Sequence, residues 1–230
     1  MNLEQARRLR DVLLVSDDPP TVELGGLVES AVLVPLYLRE GQLHIVFIER
    51  GSDLRNHAGQ ISFPGGRRDP TDDELVQTAL REAHEEIGLD PATVELFGSL
   101  APVATAVTEF AIYPFVGLIT RGQEWVLAPL EVEAVIECPL TELAATHEYR
   151  TLTRDGLPFP TDCYTTGPHL VWGATARILT DLLDRLGQVD QLERSGSGSS
   201  SRAPRPRRPP PPATTPGPPG HARRSGGAPG

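Results

Sequence analysis

The stretch of sequence that decides the fold is Arg81-Glu82-Ala83-His84-Glu85-Glu86-Ile87-Gly88-Leu89. Its three glutamates stand at positions i, i+3 and i+4, so on an α-helix they share one face within a single turn. Like charges this close repel one another, whereas a hard cation such as Mg²⁺ favours clustered carboxylate oxygens and keeps positions open for phosphate oxygens. The spacing therefore indicates a metal site for a phosphorylated substrate, with a solvated acidic face as the alternative.

The flanking residues predict the helix independently of its charges. Thr71 and Glu74 have the spacing of a capping box, and Gly88 stands where a left-handed cap would end the helix. Four apolar residues recur at helical spacing and predict a core-facing stripe. They are Val76, Leu80, Ala83 and Ile87.

The complete pattern of Arg81 to Leu89 resembles the Nudix box, the signature of the Nudix hydrolases. Those enzymes hydrolyse a nucleoside diphosphate linked to another group. One feature departs from the usual box, which opens with Gly, five residues, Glu and seven residues before the Arg. Here the position eight before Arg81 is Asp73, and six residues separate it from Gly66. The departure leaves the core of the box intact and puts the role of that acid in doubt.

A second motif runs directly into the box and is similar to the signature of the coenzyme A diphosphatase branch of the Nudix family. It reads Arg50-Gly51-Ser52-Asp53-Leu54-Arg55-Asn56-His57-Ala58-Gly59-Gln60-Ile61-Ser62-Phe63-Pro64-Gly65-Gly66, with Gly51 where Ser or Ala is more usual. Coenzyme A carries a diphosphate and a 3′-phosphate, which arginine binds better than lysine because its guanidinium is bidentate. The candidate substrate-binding residues are Arg50, Arg55, Gly59, Gly65 and Gly66.

The resemblance implies metal-dependent hydrolysis of coenzyme A and its thioesters to 3′,5′-ADP and 4′-phosphopantetheine or its acyl form. It implies Mg²⁺ or Mn²⁺ as cofactor, with Glu82 and Glu86 as the main ligands. Glu85 would bind metal or act as the catalytic base, and Arg81 would orient the glutamates through charge-assisted bonds. Which glutamate takes the proton is left open.

Two alternatives follow from the same residues. An ADP-ribose or dinucleotide (NADH-type) diphosphatase would keep the chemistry and change the substrate. A Nudix-fold binding module without catalysis would be expected to lose one or more of the box carboxylates, and all three are present here.

The segments around the box predict an α/β (α+β) fold with a mixed β-sheet between helices, which is the Nudix-type α/β/α sandwich that the resemblance implies. We expect a leading helix over Leu3 to Leu14 and a closing helix over Leu170 to Leu186. Predicted strands cover Ala31 to Leu38, Leu43 to Glu49, Thr93 to Leu100, Phe110 to Ile119 and Val132 to Cys138. The expected organisation is a lead-in over residues 1–27, a Nudix domain over 28–186 and a disordered Pro/Gly/Ser/Arg-rich tail over 187–230.

Charge and composition limit the classes of molecule that the protein is expected to bind. The chain has a net charge of −10, and all 21 of its basic residues are arginines, which excludes a P-loop ATPase with its lysine. Six of those arginines lie in residues 195–230, so the rest of the chain is still more acidic and poorly suited to nucleic acid. With no long apolar run, we expect a cytoplasmic protein that binds a small-molecule substrate and no membrane. A homodimer is one assembly that the sequence leaves open.

Overall fold

A mixed eight-stranded sheet is the platform for the predicted site. The computed structural model describes residues 7–14, 27–51, 59–105, 109–120, 124–154 and 156–197. The strands of the sheet are β1 (Val28–Arg39), β2 (Gln42–Arg50), β3 (Ile61–Ser62), β4 (Gly65–Arg67), β5 (Val94–Ser99), β6 (Val103–Ala104), β7 (Phe110–Ile119) and β8 (Val132–Pro139). The main order is β3-β2-β1-β7-β5, with β4 paired to β1, β6 to β7 and β8 to β2. Only β1 and β7 run parallel among these pairs, so the sheet is mixed.

Helices cover both faces of this sheet. Helix α1 (Leu75–Ile87) packs on one face, while α2 (Leu140–Ala145) and α3 (Gly173–Ser197) pack on the other. The alternation of β1 shows why, since Ala31 and Leu33 are buried on the α1 side and Val34 and Leu36 on the α3 side. The predicted α/β/α sandwich is therefore confirmed.

The first two predicted strands are present and pair antiparallel as a hairpin. Leu38 pairs with Leu43 and Arg39 with Gln42. The turn residues Glu40 and Gly41 both have positive φ, of 53° and 76°. That combination matches the right-handed twist of the two strands.

A second, three-stranded antiparallel sheet was missed by the sequence prediction. It consists of β9 (Glu148–Arg154), β10 (Leu157–Thr166) and β11 (His169–Trp172). The alternating Pro158 and Pro160 hide the strand character of β10, because proline is usually a signal against a sheet strand. The predicted start of the closing helix at Leu170 is wrong, since that residue pairs with Thr165 and the helix begins at Gly173.

The two ends of the domain also differ from the prediction. Helix α3 continues to Ser197, so a disordered tail from residue 187 is placed too early. Leu182, Leu186 and Val189 explain the extension, because all three are buried at helical spacing. At the other end, the described part of the predicted leading helix contains a 3-10 helix over Leu9–Asp11. None of the described helices is long and apolar enough to cross a membrane.

The caps of α1 fix its place along the chain. Its N-cap is Glu74, which forms a capping box with Gln77, so the predicted cap at Thr71 is wrong. Thr71 instead bonds Asp69 through both its N–H and its hydroxyl. The predicted C-terminal cap is confirmed, since Gly88 has φ 69°.

Strand β4 lies between β1 and α1, and its two glycines stand where neighbouring atoms leave no free space for a side chain. Gly65 has φ 154°, and an added Cβ would stand 2.3 Å from the Ala31 carbonyl oxygen and 2.6 Å from the Val32 Cα. At Gly66 the nearest atoms to an added Cβ would be those of the Glu82 carboxyl group, 2.4 to 2.6 Å away. Backbone therefore blocks the first position, whereas a side chain that can rotate blocks the second.

We expect Gly65→Ala and Gly66→Ala to differ sharply in stability. The first should lower the free energy of unfolding by about 2–3 kcal/mol, since strained backbone must move. The second should cost less than about 1 kcal/mol, because only the Glu82 side chain must turn aside. Denaturant unfolding measures both variants, and equal losses would contradict this account of β4.

Candidate functional site

The three glutamates of α1 lie on the face of the helix that meets β4, and they differ in burial. The side chain of Glu86 is 3% exposed and that of Glu85 is 56% exposed, with Glu82 at 16%. One Glu86 oxygen accepts a hydrogen bond of 2.8 Å from the Gly65 N–H. The Glu82 carboxyl group occupies the space left by the missing side chain of Gly66. The helix thus holds two carboxylates directly against the glycine backbone of β4.

Burial makes a negative charge at Glu86 costly. It raises the pKa of that carboxyl from 4.5 to about 8, although the Gly65 N–H and Arg50 act in the opposite direction. Arg50 is a weak counterion here, with its Nη1 3.9 Å from the nearer Glu86 oxygen. The Glu82 and Glu131 carboxylates raise the pKa further through repulsion. A divalent cation beside Glu86 would offset this cost and favour the ionised form.

Arg81 ties the glutamates to the loop before the helix. Its Nη1 donates to Glu82 at 2.9 Å and to Glu85 at 3.1 Å. Its Nε and Nη2 donate to the two oxygens of Asp72 at 3.2 and 3.0 Å, and Nη2 also reaches the Arg67 carbonyl at 3.2 Å. The guanidinium therefore bridges three acids and the end of β4, and its role in orienting the glutamates stays a prediction.

Asp72, rather than Asp73, is the acid that pairs with Arg81. Asp72 is buried and also accepts bonds from the Thr78 hydroxyl and the Asp69 N–H. Asp73 is exposed, and only its backbone takes part in the hydrogen bonds of this loop. Counting back from Arg81 selected the wrong residue because the loop is one residue longer than usual. Counting forward from Gly66 by the usual five residues would have found Asp72.

The pKa shifts agree with that pairing. The Arg81 hydrogen bonds lower the pKa of Asp72 from 3.8 to about 2. The same bond to Asp72 raises the pKa of Arg81 above its ordinary value. Glu82 differs, because burial raises its pKa in spite of its contact with Arg81. The site thus combines a firmly ionised acid with two carboxylates whose charge is poorly solvated.

The donor set fits a divalent cation by its chemistry. It offers hard carboxylate oxygens, and Glu86 is buried with the Arg50 Nη1 at 3.9 Å as its ion-pair partner in the described part of the chain. Over the described ranges of the chain, however, no group of three or more His, Cys, Asp or Glu side chains is arranged to hold a metal ion. One oxygen each of Glu82 and Glu85 is bonded to Arg81. Metal binding by Glu82, Glu85 and Glu86 therefore stays a prediction.

A cleft of about 460 Å³ opens on β1, β3, β4 and β7 and reaches the start of α3. It adjoins Glu86 and Glu82 through the glycine backbone of β4. Gly65 and Gly66 line it, as do three arginines, Arg50, Arg67 and Arg177. None of the described residues that line it is acidic. In a chain with a net charge of −10, this concentration of arginine favours a phosphorylated ligand in the cleft.

The predicted substrate-binding residues differ in where they lie relative to the cleft. Arg50 lies at a register shift between β2 and β8, which turns its side chain toward the cleft and Glu86. Its Nε is buried and finds no hydrogen-bond partner in the described part of the chain. Gly59 donates its N–H to the Arg50 carbonyl. Arg55 lies outside the described residues.

Several residues of the site were missed from the sequence. Glu131 stands far from the box along the chain, and no local pattern marks it, yet its charge acts on both Glu82 and Glu86. Phe159 and Trp172 line the cleft from the second sheet, which was not predicted. His84, which lies within the box, is exposed, and its Nδ1 bonds the Leu89 carbonyl.

We expect Asp72→Asn to destabilise the protein and to change its acid sensitivity. Asp72 titrates at about 2 in the folded protein and at 3.8 when unperturbed, so the ion pair stabilises the fold above about pH 4 and is lost as pH falls toward 2. The corresponding loss for the wild-type protein is about 2 kcal/mol. The variant should lose about 2–4 kcal/mol at pH 7 and show a shallower decline between pH 4 and 2.

The matched control is Asp73→Asn, which removes an adjacent but exposed carboxylate. It should change the free energy of unfolding by less than about 0.5 kcal/mol. Denaturant unfolding at several pH values measures both variants. Similar losses in the two variants would show that Asp72 is not the structural acid.

Comparison with known proteins agrees with the sequence resemblance. The family model described as NUDIX domain matches residues 28–156. A protein of Enterobacter sp. (strain 638) described as "Uncharacterized Nudix hydrolase NudL" is 40% identical over 161 residues, which cover 69% of this chain and 83% of the relative. The protein of the same description from Salmonella newport (strain SL254) is 38% identical over 170 residues, again covering 69% and 83%.

Solved structures of low identity were also found. The Nudix hydrolase RenU of M. smegmatis has a TM-score of 0.45 at 15% identity, covering 78% of this chain and 91% of that one. The NUDIX domain of Shewanella oneidensis NrtR, complexed with ADP ribose, has a TM-score of 0.43 at 20% identity, covering 56% and 83%. The family model and the curated relatives are the findings that decide the family: this chain belongs to the Nudix hydrolases.

Proposed function

We propose that this chain hydrolyses the diphosphate bond of coenzyme A and its thioesters, giving 3′,5′-ADP and 4′-phosphopantetheine or its acyl form. The observation that carries the proposal is the cleft beside Glu82 and Glu86, which is lined by arginines and by no described acid. Coenzyme A carries a diphosphate and a separate 3′-phosphate, so its site needs cations at more than one place. The motif from Arg50 to Gly66, which resembles the coenzyme A diphosphatase signature, ends on this cleft.

The glutamates have the properties that the proposed reaction needs. Glu82 and Glu86 would be the main ligands of Mg²⁺ or Mn²⁺, because their carboxylates are poorly solvated and lie against the open backbone of β4. A bound divalent cation neutralises phosphate charge and lowers the pKa of a coordinated water. Glu85 is the most exposed of the three and would serve as a further ligand or as the base that accepts the proton.

The remaining residues would hold the substrate and the glutamates in place. Arg50 would bind the diphosphate, since its Nε lacks a partner among the described residues and its guanidinium can bond two phosphate oxygens. Gly65 and Gly66 would let phosphate oxygens approach the backbone closely. Arg81 would keep the glutamates in position, because Asp72 fixes its guanidinium from the opposite side.

Side-by-side turnover of coenzyme A, ADP-ribose and NADH tests the substrate. Each reaction is run with Mg²⁺ and with Mn²⁺, and the products are identified by mass. We expect coenzyme A to be the preferred substrate and 3′,5′-ADP to be one product. A clear preference for ADP-ribose or NADH would overturn the assignment, and a lack of turnover of all three would favour a binding module.

Glu86→Gln tests the proposed metal ligand. Turnover should fall by about a thousandfold, equivalent to about 4 kcal/mol of lost transition-state stabilisation, while the fold is retained. The control is Glu142→Gln, which removes an exposed carboxylate on α2 and should keep wild-type turnover. Turnover of Glu86→Gln at the wild-type rate would show that the ligand assignment is wrong.

A further inference from the structure

One wall of the cleft comes from residues beyond the range that the family model matches. That range ends at residue 156, whereas the wall is contributed by β10, β11 and the first turns of α3. Its members are Phe159, Trp172, Gly173, Ala174, Thr175 and Arg177. This part of the cleft therefore belongs to the chain's own C-terminal elements rather than to the matched Nudix segment.

Side-chain contacts hold this wall in a fixed orientation. The rings of Phe159 and Trp172 meet edge to face, with centroids 6.0 Å apart and planes at 78°. The Thr175 hydroxyl donates to the Ile61 carbonyl on β3 at 3.1 Å, which anchors the start of α3 to the main sheet. Such contacts reduce the entropy that ligand binding would otherwise cost.

Arg177 adds a positive charge to the aromatic part of the wall. One of its nitrogens, Nη1, donates to the Ala104 carbonyl beside the cleft at 3.3 Å. The residue is exposed, and its guanidinium carries further N–H groups that can bond an anion. The wall thus presents aromatic rings and a cation on one side of a cleft whose other side carries Arg50, Gly65 and Gly66.

The two ends of the proposed substrate differ in the interactions that they could form with the aromatic rings and the arginine of this wall. The pantetheine arm has no aromatic ring, and beyond its phosphate it has no charge. The nucleotide end has a purine base, which stacks on aromatic side chains, and a phosphate on its ribose, which arginine binds well. Aromatic rings beside an arginine can therefore bind both the base and the ribose phosphate of the nucleotide end. They form no comparable stacking or ionic contacts with the pantetheine arm.

We propose that Phe159, Trp172 and Arg177 form the subsite for the nucleotide end of the substrate, with the base stacked on Trp172 and the ribose phosphate bound by Arg177. Phe159 positions the Trp172 ring through their edge-to-face contact. The subsite rests on the proposed function for the identity of the ligand. It assigns the C-terminal elements a role in choosing the substrate, separate from the glutamates of α1.

Calorimetric binding of product fragments to the full chain tests the subsite without turnover. The ligands are 3′,5′-ADP, 5′-AMP and 4′-phosphopantetheine, each measured with wild type and with Trp172→Leu, Trp172→Phe and Arg177→Gln. Trp172→Leu should weaken both nucleotides by about tenfold, whereas Trp172→Phe keeps a stacking face and should stay within about threefold of wild type. Arg177→Gln should weaken 3′,5′-ADP more than 5′-AMP. Binding of 4′-phosphopantetheine should be unchanged in all three variants.

The control is Arg39→Gln, which removes an exposed arginine at the end of β1 and should bind every ligand like wild type. Unchanged nucleotide affinity in both Trp172→Leu and Arg177→Gln would overturn the subsite, as would a loss confined to 4′-phosphopantetheine. Arg177→Gln and Trp172→Phe keep the test valid if Trp172→Leu fails to fold. Because failure to hydrolyse coenzyme A is detected in the product assay and not by calorimetry, the two proposals fail independently.

Discussion

The ion pair between Arg81 and Asp72 is the interaction on which the arrangement of the site depends. Asp72 is buried in the loop before α1 and held there by Thr78 and the Asp69 N–H, so it fixes the position of the guanidinium. The same guanidinium then bonds Glu82 and Glu85 and reaches the end of β4 through the Arg67 carbonyl. One arginine therefore connects the loop, the helix and the strand that together form the site.

A negative charge on the buried Glu86 carboxylate destabilises the fold unless a cation compensates it. Glu86 is almost fully buried, the Arg50 nitrogen that pairs with it is 3.9 Å away, and Glu82 and Glu131 repel its charge. A group kept in this condition is typical of a functional site, where stability is given up for chemistry. The neighbouring cleft is lined by arginines, which favour binding of phosphate groups. A cation held by the glutamates would bind the same phosphates.

Much of this could be predicted from the sequence, because local patterns decide it. The apolar stripe and Gly88 placed α1, and the apolar runs Ala31 to Leu38 and Leu43 to Glu49 placed the first two strands. The errors arose where distant contacts or loop length decide the outcome. Asp72 was missed because the loop is one residue longer than usual, and Glu131 because only folding brings it to the glutamates. The second sheet was missed because prolines interrupt the pattern of β10.

We infer that the glutamates of α1 bind divalent cations next to a diphosphate-binding cleft. Anomalous diffraction from crystals of the full chain soaked with Mn²⁺ is the decisive measurement. We expect at least one manganese peak within coordination distance of Glu82 and Glu86, with their carboxylates turned toward the ion. The absence of any manganese peak beside these glutamates at saturating Mn²⁺ would contradict it.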